Sequence, residues 1–473
     1  VATPPAHEPL TPLDQLLFHT ERDAALRAGG IGVFVLDSTP AWSDVEYTFE
    51  HASRGFLRLR QRVVEPTGGI GPAHWVVDPN FDIRYHVRRV ELPEGTTLRT
   101  VIDRLEIELM SPLELERPLW HATLYEGLDG GQSVLALRGG HAIGDGLGSN
   151  KVMGLLFDSG RRARRKPMPP APVADGPTAD EILAENLQGL PGAALGGLRG
   201  LAATGAQLGG HLLRHPLATA TEARELLGGL PKLLQDKTTA SSPLSGRSLS
   251  RGVMWTELSL SELKRASHAI GGSINDGFLA ALCGALRRYH EALGTPVDTL
   301  SLVVAIATRR DGDQMGGNHF TGGLLEAPVG EADPARRIRE IHAQVEGSRK
   351  VARFDVMGMA VRLLAYLPIS LIGRILRATP MPVIQTSNLP GSQSEYFLAG
   401  ARVQKMLGIG PVPGMAMMVG LTSHLDASAV TVTYDPAAIR DAKLFQRCLE
   451  EGFSEILALA PPDEASGSET APR

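Results

Sequence analysis

The chain has 473 residues, more than one ordinary hydrophobic core organises, so two domains are expected. A composition of 43% hydrophobic and 21% charged residues is that of a folded, soluble protein. A formal net charge of −5 excludes the broadly basic surface that holds nucleic acid, while local basic clusters leave room for a phosphorylated ligand.

The two cysteines, Cys283 and Cys448, each lie in an apolar run that reads as helix. Buried thiols in a reducing compartment are therefore expected, with neither a disulfide nor a cysteine-based metal site. The opening VATPPAHEPLTPLD has no basic stretch followed by an apolar one, so no signal peptide is expected. No window reaches 18 uninterrupted apolar residues, so no bilayer-spanning segment is expected either. A cytoplasmic chain, free to touch a membrane surface, fits these features.

In chain order, TPLDQLLFHTERDAA predicts the first helix, with Thr11 as its cap, Pro12 in the first turn and Leu13, Leu16 and Leu17 on one face. Strand and helix signals then alternate to about Gly160. GIGVFVLDS and QSVLALRGG read as strands and LRTVIDRLEIELM as an amphipathic helix. Residues 161–180, basic and then proline-rich, read as an exposed connector. From about 181 to 235 the chain is rich in Leu, Ala and Gly at helical spacing, with glycines that argue against one long helix. Residues 236–250 read as loop.

The second half restarts at VMWTELSLSELKRASHAIGG, where Ser259 or Ser261 caps a helix, and another helix begins near Asn275 and Asp276. SLVVAIAT, PVIQTSN, AMMVGLTSH and SAVTVTYD are strand candidates, and about 438–459 is an amphipathic helix. The expected architecture is α/β (α+β, mixed sheets). It has a domain at 1–160, a linker and helical crossover at 161–250, a second domain at 251–462 and a disordered tail at 463–473.

The stretch with most chemistry is ALRGGHAIGDGLGSN, residues 136–150. Alternation ends at Gly139 and Gly140, and GLGSNKVMGLLF begins a helix, so His141 sits on a strand-to-helix turn. Such a turn holds a reactive side chain on rigid flanks. An imidazole titrates near neutral pH and serves as a general base, typically worth roughly 10²–10⁴ in rate. Asp145 is better placed to fix the loop through a distant arginine than to carry a second proton, and Gly146 permits backbone angles that a Cβ would forbid. By itself the pattern is also met by a structural histidine in a glycine turn.

Its company is more specific. TPLDQLLFHTE, HWVVDPNFDIRYHVRRVELP, Pro118-Leu119-Trp120 in SPLELERPLWHATLYEGL, Asn275-Asp276 in GGSINDGFLAALCGALRRY, and Ser387, Asn388, Pro390 and Gly391 in TSNLPGSQSEYFLAGARV occur in order. With them, the chain from about 8 to 460 resembles the bacterial wax ester synthase/diacylglycerol acyltransferase family. That family belongs to the histidine-motif group of chloramphenicol acetyltransferases and peptide-synthetase condensation domains.

The resemblance implies two chloramphenicol acetyltransferase-like domains with an active-site tunnel between them. It implies an acyl-CoA-dependent O-acyltransferase acting on diacylglycerol, a long-chain alcohol or both, with His141 as base. No metal, no covalent acyl-enzyme and no cofactor is implied, acyl-CoA being the co-substrate. Such acceptors suit peripheral contact with the inner membrane or a lipid-droplet surface. The family's motif has two adjacent histidines, and Gly140 replaces the first of them. Reduced or redirected activity is one consequence, and an inactive lipid- or acyl-CoA-binding relative is the alternative. Glu114 stands where the family often has Asp, a conservative change.

Each further motif has a structural reading beside its functional one. Trp120 fits a core position or the acyl tunnel. Asn275 and Asp276 fit a helix start or the shaping of the channel. Asn388 presents its amide to the reacting carbonyl or, the preferred reading, forms the turn before Pro390-Gly391. Arg309 and Arg310 suit a solvated turn, and Arg161 to Lys166 a solvated linker, with CoA phosphates or anionic lipid as the other readings. The apolar segment 361–382, broken by Pro368 and carrying Arg362, Arg374 and Arg377, reads as a buried helix pair walling the tunnel, the preferred reading, or as an interfacial segment.

Overall fold

A computed structural model describes residues 7–140, 146–162, 165–188, 242–307, 320–351, 383–389 and 391–461. The first half contains strand β1 (His7–Pro9), helix α1 (Pro12–Thr20), β2 (Gly30–Leu36) and α2 (Trp42–Gly55). It continues through β3 (Gln61–Val64), β4 (His74–Val77), β5 (Val87–Thr96), α3 (Leu98–Met110), β6 (Trp120–Leu128), β7 (Ser133–Gly139) and α4 (Gly146–Leu156). Residues 179–188 form a further helix after the extended, proline-rich connector.

The second half begins with β8 (Gly252–Ser259), α5 (Leu260–Ala269), α6 (Ile274–Ala292), β9 (Leu300–Ala307), β10 (Phe320–Ala327) and α7 (Pro334–Val351). Then come β11 (Ile384–Leu389), β12 (Phe397–Leu398), β13 (Ala401–Ile409), β14 (Met417–His424), β15 (Ala427–Tyr434) and α8 (Ala442–Leu457).

Two six-stranded mixed sheets dominate, in the orders β12-β13-β2-β7-β6-β5 and β10-β9-β11-β14-β15-β8, and β1-β4-β3 make a small third sheet. The expected α/β class is therefore observed. Although β12 and β13 belong to the second half of the chain, they extend the first sheet. β13 runs antiparallel to β2, with Leu407 opposite Val33 and Ile409 opposite Ile31.

The lobes are also stitched through β8. The Glu106 carboxylate accepts from the Val253 amide at 2.8 Å, and Arg99 donates to the Val253 carbonyl at 2.6 Å. A shared apolar layer joins Val33, Ile102, Leu105 and Tyr125 to Val253 and Leu407.

Local signals explain the elements. Thr11 caps α1 by accepting from the Asp14 amide, and Ser259 caps α5 by accepting from the Glu262 amide. The interior of α6, Phe278 to Leu286, is buried on every side because a sheet and three helices surround it. Among the described residues no single helix is long and apolar enough to cross a membrane.

Candidate functional site

The strand that leads to His141 is held on both edges. β7 lies between β2 and β6, and its last residue, Gly139, stands opposite both Gly30 and Trp120. The Gly140 amide donates to the Leu119 carbonyl at 2.9 Å, which ties the turn to the Pro118-Leu119-Trp120 segment. Gly140 is buried, and α4 resumes the chain at Gly146. His141 and Asp145 themselves lie outside the described residues, as do Arg309, Arg310, Pro390, the 361–382 segment, most of the expected crossover and the 463–473 tail.

At Gly140 the backbone does not demand glycine. A Cβ there would meet Leu119 Cβ at 3.5 Å and Leu113 Cδ1 at 3.8 Å, ordinary contact distances. A histidine in this position would start its side chain beside these two leucines.

Pro118, Leu119 and Trp120 are all buried. Leu119 belongs to the core of the small sheet with Phe18, Trp75 and Leu113. Trp120 faces the opposite core: its indole donates to the Leu59 carbonyl at 2.8 Å, and its ring stacks on Phe49 and on His86, 4.7 Å between centroids. His86 Nδ1 donates to the Trp120 carbonyl at 2.7 Å, a bond that fixes its tautomer. Burial pushes the His86 imidazole down to about 4. The sequence reading met His86 only as part of a motif; its service to Trp120 is visible in the packing alone.

Asn275 and Asp276 lie in the first turn of α6, but the cap is Ser273. Its side chain accepts from the Asp276 amide, while Asp276 Oδ2 accepts from the Ser273 amide at 2.7 Å and from its hydroxyl at 2.8 Å. The same oxygen meets His342 Nδ1 on α7 at 2.8 Å. Asp276 is 1% exposed, and its Oδ1 has no hydrogen-bond partner among the described residues. Its contacts thus belong to the second lobe, and His342 had no signal in the sequence.

Ser387 and Asn388 lie inside β11, in parallel register with Gly420 and Leu421 of β14. Asn388 therefore does not form the turn that its place before Pro390-Gly391 suggested; strand pairing continues to Leu389. Gly391 follows at a very close approach, where a Cβ would fall 1.4 Å from the Ser423 carbonyl oxygen.

The described cations of the connector are exposed, as a solvated linker requires. Three of them also make surface ion pairs to the first lobe: Arg161 with Asp37, Arg165 with Asp44 at 2.6 Å, and Lys166 with Asp158 at 3.3 Å.

Against known proteins, residues 10–278 match the wax ester synthase/diacylglycerol acyltransferase catalytic domain, and residues 316–457 match the WS/DGAT C-terminal domain. A Mycobacterium tuberculosis protein, provisionally named a diacylglycerol O-acyltransferase, is 39% identical over 458 residues, covering 97% of this chain and 93% of the relative. A second from that organism, under the same provisional name, is 26% identical over 439 residues, 89% of this chain and 90% of its own. The wax ester synthase/diacylglycerol acyltransferase of Marinobacter aquaeolei VT8 shares the fold at a TM-score of 0.62 and 19% identity, covering 96% of this chain and all of that one. A condensation domain of the CDA synthetase does so at 0.57 and 16%, covering 97% and 98%. The two-lobed chloramphenicol acetyltransferase-like architecture expected from the motifs is thus the observed one.

Proposed function

We propose that in this chain, which belongs to the wax ester synthase/diacylglycerol acyltransferase family and is an acyl-CoA-dependent acyltransferase, His141 is the general base for transfer of a long-chain acyl group from CoA to diacylglycerol, a long-chain alcohol or both. The observation that supports this reading is the anchoring of the turn. Strand β7 and the Leu119 carbonyl hold Gly139 and Gly140, the residues just before His141, and α4 begins at Gly146. The family match favours an enzyme over a retired lipid-binding relative.

In the proposed reaction neutral His141 removes the acceptor's hydroxyl proton as its oxygen bonds to the thioester carbonyl carbon. The tetrahedral oxyanion collapses, the carbon–sulfur bond breaks, and the imidazolium returns its proton to the CoA sulfur. Ester and CoA-thiol are the products, formed without a covalent acyl-enzyme or a cofactor. Asp145 shapes the turn, and Gly146 begins α4. Alignment of the two substrates supplies the remainder of the acceleration. Because the acceptors partition into lipid, the proposal includes peripheral contact with the cytoplasmic membrane face or a lipid droplet, the apolar 361–382 segment being its candidate. Salt extraction from membranes, before and after that segment's leucines are changed to serine, tests the contact.

Purified wild type and His141→Ala, given palmitoyl-CoA with diacylglycerol or hexadecanol, test the base. Ester and CoA-thiol made by the wild type and lost in the variant are expected. Equal ester formation by a folded His141→Ala protein would overturn the assignment.

A further inference from the structure

We propose that His7, His74 and Glu185 form a binding site for a divalent transition-metal ion of the zinc type, which clips β1 and the 179–188 helix onto the small sheet. Their ligand atoms all lie within 4.8 Å of one another. The two histidines come from adjacent antiparallel strands: Pro9 stands opposite His74 and His7 opposite Val76, so both imidazoles share one face of the ladder. Their rings lie 5.8 Å apart at an interplanar angle of 15°.

Glu185 is brought there by a docked helix. Asn186 donates to the Ile70 and Pro72 carbonyls at 3.0 and 3.1 Å, and Thr67 donates to Asp180 at 2.6 Å. Thr178 caps the helix, accepting from the Glu181 amide while the Glu181 carboxylate accepts from Thr178. The helix that carries Glu185 is therefore placed by several bonds that have nothing to do with a metal.

His74 carries the chemistry. Its side chain is 6% exposed, and its Nδ1 has no hydrogen-bond partner among the described residues. The nearest carboxylate oxygen, on Glu185, is 4.0 Å away, beyond hydrogen-bonding distance. An ion bound at about 2.0–2.2 Å from each donor bridges a gap of this size once the half-exposed Glu185 side chain closes slightly. Two imidazoles and one carboxylate suit zinc and its neighbours, whereas magnesium and calcium prefer all-oxygen shells. Solvent beside Glu185 completes four-coordination.

The role is structural and separate from acyl transfer. The small sheet's core contains Trp75 and Leu119, and Leu119 holds the Gly140 amide. A metal here fastens the connector to the layer that backs the turn.

The test uses the tag-free full chain, stripped with chelator and titrated with zinc chloride by calorimetry, with thermal unfolding alongside. One tight equivalent and a raised Tm are expected for the wild type. His7→Ala and Glu185→Gln, both at positions outside the core, should lose the tight site and the Tm rise while keeping the wild-type circular dichroism. Failure of the wild type to bind zinc, an equal response to magnesium, or unchanged zinc binding in both variants would each overturn the proposal.

Discussion

Gly140→Ala isolates what the absent first histidine of the motif means. The nearest atoms to the substituted Cβ belong to Leu119 and Leu113, at 3.5–3.8 Å, and Gly140 is not among the residues with positive φ. Restricting the unfolded chain by a Gly-to-Ala change stabilises by about 0.4–1 kcal/mol where the conformation is compatible. Burying a methyl adds up to about 0.8 kcal/mol. The bond from the residue 140 amide to the Leu119 carbonyl is untouched. The variant should therefore melt about 1–3 °C above the wild type in differential scanning calorimetry and keep its rate of ester synthesis. Gly140→His begins from the same Cβ, beside the same two leucines, and brings a polar ring into a buried position, which costs about 1–3 kcal/mol where the ring is left unpaired. A fall in Tm for Gly140→Ala, or loss of turnover with the fold intact, would refute the reasoning and show that the turn requires bare backbone.

The remaining predictions address the flanks. Gly391→Ala drives a Cβ to 1.4 Å from the Ser423 carbonyl oxygen, which no rotamer relieves; it should cost more than about 3 kcal/mol in denaturant unfolding or prevent soluble expression. Asp276→Ala removes half of a capping box and the His342 pair and should cost about 2 kcal/mol; turnover lost with stability unchanged would instead place Asp276 in the channel. His86 is held down to about 4 in the folded chain against about 6.5 unfolded, so the unfolded state takes the extra proton between those values. The stability due to neutral His86 is full above pH 6.5 and falls by about 3 kcal/mol as pH drops to 4. Urea midpoints of wild type and His86→Gln across that range should converge toward acid, and a pH-independent difference would contradict the assignment.

What the sequence discloses here is local. Thr11 and Ser259 cap helices because a hydroxyl beside a free amide is a short-range feature, and Gly139-Gly140 ends a strand for the same kind of reason. The start of α6 near Asn275 and Asp276 is legible too, while its cap, Ser273, emerges only through the reciprocal bond to Asp276. Asn388 was drawn toward the turn by Pro390-Gly391, but its partners in β14 lie some thirty residues away. No local signal assigns β13 to the first sheet, since its pairing with β2 spans the whole molecule. The motifs of the site are legible as residue types, and their supports, His86 and His342, are not. Their value arises from contacts across the fold.

The arrangement also bears on why the motif tolerates glycine at position 140. A base contributes through its position and protonation state, and alignment with the thioester contributes at least as much. In this chain the residues flanking 141–145 are held without a neighbouring imidazole. β7 is paired on both edges, the Gly140 amide bonds to the Leu119 carbonyl, and α4 packs with α2 through Val152, Leu156 and Phe49. Leu119 and Trp120, adjacent in sequence, are buried in two different cores, so the segment that holds the turn cannot rotate without disturbing both. A histidine at 140 would add a polar ring on the apolar side of this clamp. Glycine at that position removes a side chain and leaves the anchoring of His141's flanks in place.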